Sequence, residues 1–190
     1  MSEAVVEAIE AGRAAIVPTD TVYGLVASAG DAAAVHRMYV LKGRPATQPS
    51  ALMAASLDQL LAAVPELDRR LTAALLPGAY TLVLANPARC FPWLCGSTPE
   101  KLGVRVPDLP GATAAVLERT GPLASTSANL TGGPEPRRLA DVAPELLAEC
   151  AALDGGELPG TPSTVIDFTG PEPVVLREGA GDVGKALQAA

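Results

Sequence analysis

The sequence predicts a single α/β domain built on an open, twisted, mixed sheet. Short apolar runs typical of buried strands interleave with amphipathic helical segments, too irregularly for a repeated βαβ array. The chain has 190 residues, of which 48% are hydrophobic and only 3% aromatic. One core of Leu, Val and Ala can therefore support one domain over residues 1–190.

The first elements are a helix, a strand and a second helix. The helix covers residues 3–11, and the apolar strand Ala14–Val17 follows it. The Asp31 side chain is suited to cap the N-terminus of a helix. The helix that follows Asp31 is predicted to run to about Leu41, with apolar residues on one face.

The middle of the chain continues the alternation of strands and helices. A strand is predicted at Leu52–Ala54, and the hydroxyl of Ser56 can cap the helix that follows. A further helix begins after Pro65 and ends at Pro77–Gly78. The alternating, β-rich segment Tyr80–Leu84 predicts the next strand.

The second half repeats these patterns and ends on a strand pair around a Thr-Gly-Pro turn. Asp141 is predicted to cap a helix that runs to about Ala152. The other predicted elements are the strands Leu102–Val106, Leu123–Ser125, Thr164–Phe168 and Val174–Arg177, and the helix Gly111–Arg119.

Charge and cysteine content restrict the function. The net charge of −7 argues against non-specific binding of nucleic acid, but it does not exclude a local cleft lined by basic residues. Three cysteines and no leader pattern at the N-terminus favour a cytoplasmic protein with reduced thiols. The spacing of Cys90 and Cys95 does not fit a zinc site, and no apolar run is long enough to cross a membrane.

Three segments combine the groups that a triphosphate requires. Pro18–Gly24 holds hydroxyls, a carboxylate and a phenol; Lys42–Pro45 holds two cations; and Ser125–Asn129 is a hydroxyl-rich turn. Cations neutralise phosphate charge, and hydroxyls on turns supply oriented donors. Each of these residues could alone merely close a turn or cap a helix. Together they predict a nucleotide site.

Two other features do not predict a site. Gly179–Gly184 fits G-x-G-x-x-G, but too little chain follows it for a dinucleotide-binding unit, and a flexible C-terminal exit is the better interpretation. His36 lies among apolar residues in a helix, and nothing around it supports a catalytic triad.

The three nucleotide-site segments resemble parts of the YrdC-like domain of threonylcarbamoyl-AMP synthases in its short, single-domain form. Three further segments share this resemblance, namely Leu76–Leu84, Gly103–Pro107 and Pro162–Asp167. The resemblance implies a sheet with helices around a concave cavity. It also implies a nucleotidyltransferase that forms threonylcarbamoyl-AMP and pyrophosphate from L-threonine, bicarbonate and ATP. Mg²⁺ would arrive with ATP, without a dedicated protein metal site. The product would serve N6-threonylcarbamoyladenosine modification of tRNA position 37 by a transferase complex, and this chain's own tRNA contact would be weak or indirect.

The resemblance also implies roles for individual residues. Lys42 and Arg44 match a K-x-R pair that grips phosphates and carries catalysis, and Ser127 and Asn129 match an S-x-N turn at the nucleotide. Gln48 and Arg177 complete the implied ATP site. The implied threonine site consists of Thr21, Arg105, Ser125 and Ser163.

Some positions depart from the family pattern, namely Asp20, Gln48, Met53 and Lys101. They bear mainly on the threonine pocket. Two alternatives to a synthase are open, the first because residues 165–168 and 175–183 resemble relatives without that activity, and the second because a binding module could share the concave fold. One is a YrdC-like relative without synthase activity, against which the K-x-R and S-x-N residues argue. The other is an RNA- or nucleotide-binding module without catalysis, against which the acidic net charge argues.

Overall fold

The computed structural model describes residues 2–189. The strands are β1 (Ala15–Pro18), β2 (Tyr23–Ser28), β3 (Ala51–Met53), β4 (Tyr80–Ala85), β5 (Lys101–Arg105), β6 (Leu123–Ser127), β7 (Ala151–Ala152), β8 (Thr164–Asp167) and β9 (Val174–Arg177). The helices are α1 (Ser2–Glu10), α2 (Ala32–Lys42), α3 (Leu57–Ala63), α4 (Arg69–Leu75), α5 (Gly111–Thr120), α6 (Pro144–Glu149) and α7 (Val183–Gln188).

All nine strands join one open sheet in the order β7-β1-β2-β6-β3-β5-β4-β8-β9. The pairs β1/β7, β3/β5 and β4/β8 are parallel, and the other neighbours are antiparallel. The predicted α/β class with a mixed sheet is confirmed. None of the helices within residues 2–189 is long and apolar enough to cross a bilayer.

The two faces of the sheet are covered unequally, because successive side chains of a strand point to opposite faces. One face buries the larger core, in which Leu52, Leu82 and Val104 pack with apolar residues of α2, α3 and α4. On the other face, α1 and α5 cover a smaller core that includes Met53 and Leu123. The rest of that second face is open, and it holds the cavity described below.

Two sequence-based predictions about elements are wrong or incomplete. Asp141 does not cap α6; its carboxylate accepts hydrogen bonds from the backbone of residues 137 and 138 and closes a 3₁₀ turn. Pro144 instead starts the helix at its first position, where the missing N–H costs nothing. The helix ends at Glu149, and Ala151–Ala152 pair with β1 as β7. The buried strand β2, third from one edge of the sheet, was not predicted at all.

The Gly179–Gly184 segment is packed and does not form a flexible exit. A Cβ on Gly179 would collide with the Pro162 carbonyl, and one on Gly181 would collide with the Tyr80 ring. Asp182 caps α7, whose Ala186 is fully buried. The glycines therefore permit close packing of the C-terminal segment, and they form no phosphate loop. His36 is exposed, as expected for a surface residue.

Candidate active site

A cavity of about 810 Å³ lies on the sheet face that α1 and α5 leave open. It is lined by nine of the ten predicted site residues, namely Lys42, Arg44, Gln48, Arg105, Ser125, Ser127, Asn129, Ser163 and Arg177. These residues are far apart in sequence. The sheet brings them together, because β2 pairs with β6, β6 with β3, and β3 with β5.

Small residues form the floor of the cavity. Ser125 lies opposite Ala51, and Ala51 lies opposite Gly103, on three neighbouring strands. Gly24 lies opposite Ser127 on the next pair. Because these side chains end close to the backbone, a ligand can approach the sheet itself.

The K-x-R segment stands at the C-terminal end of α2. Gly43 adopts a left-handed conformation with φ of 67°, which ends the helix after Lys42. The Lys42 Nζ donates to Ser127 O at 2.6 Å, Asn129 O at 2.6 Å and Asn129 Oδ1 at 2.7 Å. All three ammonium hydrogens are thus directed at the S-x-N turn, so Lys42 organises this turn and places a positive charge beneath it.

The S-x-N turn is closed by its own side chains. The Ser127 hydroxyl donates to Asn129 Oδ1 at 2.6 Å, and the Asn129 amide nitrogen donates to Gly133 O at 2.5 Å. The Thr131 backbone N–H donates to Lys42 O at 3.0 Å. Burial, followed by the nearby Arg44 charge, lowers the pKa of Lys42 to about 8, while Glu135 acts to raise it. The turn is therefore built around a single, strongly desolvated ammonium.

Arg44 forms the outer side of this region. Its Nε donates to Gln48 O at 3.3 Å, and its Nη2 donates to Pro49 O. Gln48 itself is exposed at the rim. Burial lowers the pKa of the Arg44 guanidinium, and no carboxylate of residues 2–189 lies within 4 Å of it. Arg44 is therefore a charged group without a protein counter-ion beside an open cavity.

The opposite region of the cavity contains two further arginines. Arg105 on β5 donates from Nη2 to Asp20 Oδ1 at 2.9 Å and contacts Thr21 Oγ1 at 3.5 Å. Arg177 donates from Nη2 to the carbonyl of Ser163 at 2.9 Å and to its hydroxyl at 3.2 Å. The sequence grouped Arg177 with the ATP residues, but the structure joins it to Ser163, which was grouped with threonine.

Thr21 is the one predicted site residue that does not line the cavity. It is 1% exposed and lies behind Arg105, whereas Thr19 lines the cavity in its place. The Thr19 hydroxyl donates to Val22 O at 2.7 Å, so the 3.1 Å contact between the two threonine hydroxyls is donated by Thr21. Thr21 therefore supports Arg105 from behind. Tyr23 also points away, since its phenol donates to Gly156 O at 2.8 Å.

The sequence did not assign a site role to several residues that line the cavity. Thr81 shares a hydrogen bond of 2.9 Å with the Ser163 hydroxyl, and its place in the β-rich segment Tyr80–Leu84 was the available signal. Lys101 pairs with Asp167 at 2.8 Å at the mouth of the cavity. Met53 is a fully buried core residue beside the cavity and does not line it.

The cavity offers little to a metal ion by itself. No group of three or more His, Cys, Asp or Glu side chains in the described part of the chain could hold one. Glu135 lines the cavity with a buried Oε2 that has no hydrogen-bond partner among residues 2–189. This carboxylate fits one ligand position on an ion that already has phosphate and water ligands.

Several known proteins are similar to this chain. A Bacillus subtilis protein named threonylcarbamoyl-AMP synthase is 38% identical over 168 residues, which is 85% of this chain and 48% of that protein. A structure of Pyrococcus abyssi Sua5 complexed with L-threonine is 33% identical, with a TM-score of 0.86 over 99% of this chain and 55% of the other. The chain thus spans about half the length of these two relatives.

A third relative has a length closer to that of this chain. The crystal structure of Escherichia coli YciO is 30% identical, with a TM-score of 0.81 over 98% of this chain and 94% of the other. A family model named Sua5/YciO/YrdC, with the description telomere recombination, matches residues 7–179. The chain therefore belongs to the Sua5/YciO/YrdC family.

Proposed function

We propose that this chain is an L-threonylcarbamoyladenylate synthase that uses L-threonine, bicarbonate and ATP. The observation that carries the proposal is the convergence of the K-x-R and S-x-N residues with Arg105 and Ser163 on one cavity. The relative from Bacillus subtilis has the corresponding name, and the Pyrococcus abyssi structure contains L-threonine.

The two cationic regions suit different parts of the substrates. Arg44 presents a guanidinium without a counter-ion next to the charged Lys42, which favours the triphosphate. Arg105 lines the cavity with its Nη2 already donating to Asp20, which leaves its other N–H groups for a single carboxylate and favours threonine. In this division Ser127, Asn129 and Gln48 accompany ATP, and Ser125 and Ser163 accompany threonine.

The reaction requires no covalent nucleophile from the protein. The α-amine of threonine attacks bicarbonate and water leaves, which gives a carbamate. A carbamate oxygen then attacks the α-phosphorus, its new P–O bond replaces the bond to the β-phosphate, and pyrophosphate leaves. Placement of reactants side by side is worth roughly 7–11 kcal/mol, so positioning by the cavity can supply most of the acceleration.

We propose Mg²⁺ as the ion that accompanies ATP. It would neutralise phosphate charge, and Glu135, whose buried Oε2 has no hydrogen-bond partner among residues 2–189, would contact it or one of its water ligands. Lys42 and Arg44 would share the charge that develops on the leaving pyrophosphate.

We further propose a cytoplasmic protein whose product is consumed by a tRNA-modifying threonylcarbamoyl transferase complex. Its three cysteines are free thiols. The net charge of −7 favours transfer through that complex over strong tRNA binding by this chain.

The test is to incubate the chain with ATP, threonine and bicarbonate and to detect the adenylate by mass, with pyrophosphate release measured in parallel. Pyrophosphate release that requires both threonine and bicarbonate supports the proposal.

The second candidate is a family member that binds nucleotide without synthase activity. ATP binding without adenylate formation would select it.

A further inference from the structure

Asp20 and Arg105 form the most deeply buried ion pair among residues 2–189. Both side chains are 10% exposed, whereas every other ion pair in this range has a partner that is at least 38% exposed. Asp20 lies on the turn between β1 and β2, and Arg105 lies on β5. The turn and the strand are thus joined directly beside the cavity.

The pair is incompletely hydrogen-bonded. One contact of 2.9 Å joins the two residues, while Asp20 Oδ2 and Arg105 Nε are buried without a partner in the described part of the chain. Burial raises the pKa of Asp20 and lowers the pKa of Arg105, so the surroundings oppose both charges. Buried ion pairs of this kind contribute little to stability. Its position beside the cavity points instead to a role in binding.

The distribution of charge in the cavity indicates that role. Arg177 lies close enough to Arg105 to lower its pKa, and no carboxylate in the range 2–189 lies within 4 Å of Arg177. Without Asp20, neither of these two cations would have a carboxylate within 4 Å, as is the case for Lys42 and Arg44 among residues 2–189. A phosphate group could then bind at either end of the cavity.

We propose that Asp20 is the positioning residue that makes the Arg105 region specific for a single carboxylate and excludes phosphate. Its Oδ1 fixes the Nη2 of Arg105, and its charge cancels one of the two guanidinium charges. The triphosphate is then directed to Lys42 and Arg44, and the amino acid to Arg105. This inference rests on the proposed function, because it takes an amino acid and a nucleotide as the ligands.

The test uses the 190-residue chain with Asp20→Asn, Asp20→Glu and, as a matched control, Glu3→Gln. Glu3 pairs with Arg119 at an exposed site, so its neutralisation changes the net charge equally. L-Threonine and inorganic phosphate are titrated by calorimetry. For Asp20→Asn we expect a threonine Kd raised at least about tenfold, and phosphate that now competes with threonine. Asp20→Glu should restore the exclusion of phosphate, and Glu3→Gln should behave like the unsubstituted chain.

Threonine binding by Asp20→Asn that matches the unsubstituted chain would overturn the inference. Competition between phosphate and threonine in the unsubstituted chain would also overturn the inference. That result does not depend on whether any variant folds. A chain that binds no threonine overturns it as well. Threonine binding without adenylate formation overturns only the proposed function.

Discussion

The Lys42 ammonium is bound by three oxygens of one turn, so its protonation should control the shape of the nucleotide region. Its pKa of about 8 predicts that ATP affinity falls as the pH rises through that value. The pKa of Lys42 is lower in the folded chain than the value of 10.5 in the unfolded chain, so the unfolded chain keeps the proton to a higher pH. The free energy of unfolding therefore increases as the pH rises from about 8 to 10.5. The loss of binding would therefore not reflect unfolding.

The measurement is the Kd for ATP between about pH 7 and 9.5, the window set by this linkage, with Tm recorded alongside. Lys42→Arg keeps the charge over this range and should remove the pH dependence, although a larger head group weakens binding at neutral pH. An ATP affinity that is flat across pH 8 in the unsubstituted chain would contradict the role of Lys42.

Arg44 provides a second prediction at the residue scale. Arg44→Ala removes the guanidinium that lacks a protein counter-ion, so we expect ATP affinity and adenylate formation to fall about tenfold or more. The control is Arg70→Ala, because Arg70 is exposed on α4 away from the cavity. The measurements are the kinetics and the Tm of both variants. Normal kinetics in Arg44→Ala would show that Arg44 does not belong to the ATP site.

A variant of Arg105 tests whether this residue binds the threonine carboxylate or the phosphates of ATP. Arg105→Lys keeps the charge beside Asp20 but loses the fork, so the threonine KM should rise while the ATP affinity stays nearly unchanged. Titration of both substrates checks this. A loss of ATP affinity with an unchanged threonine KM would assign Arg105 to the phosphates.

Among the elements, β5 supplies the flat centre of the cavity floor. A Cβ on Gly103 would meet its nearest neighbours, Ser50 O and the Thr81 methyl, at 3.7 Å, which is ordinary contact. Gly103→Ala should therefore fold and bind normally. Gly103→Val adds two methyl groups above the floor and should weaken the binding of both substrates with little change in Tm, because Val suits a strand.

Titration of ATP and threonine against these two variants tests the cavity as a whole. The alanine variant serves as the matched control for backbone effects at the same position. If the valine variant bound both substrates normally, the ligands would not lie over β5.

At the scale of the whole molecule, the net charge of −7 sets the expected behaviour toward nucleic acid. We expect tRNA binding that is weak without ATP and that changes little between about 50 and 200 mM salt, because few phosphates are neutralised. Fluorescence anisotropy with labelled tRNA measures this. Tight binding with a steep loss of affinity in salt would favour the RNA-binding alternative.

Sequence alone determined the class of the fold, most of its elements and nine residues of the cavity lining. Local signals suffice for these features. Asp31 and Ser56 cap their helices as predicted, because a cap depends only on backbone a few residues away. The cation and hydroxyl segments were recognisable because their chemistry is concentrated in short motifs.

Only the tertiary structure decided which of these side chains face the cavity and which neighbour each one contacts. Thr19 and Thr21 are equivalent in sequence, yet the turn between β1 and β2 places one on the cavity and the other behind Arg105. Arg177 meets Ser163 because β9 pairs with β8, a contact that no local pattern encodes. Register and sheet order are properties of the whole chain, and they determined how the predicted residues are grouped.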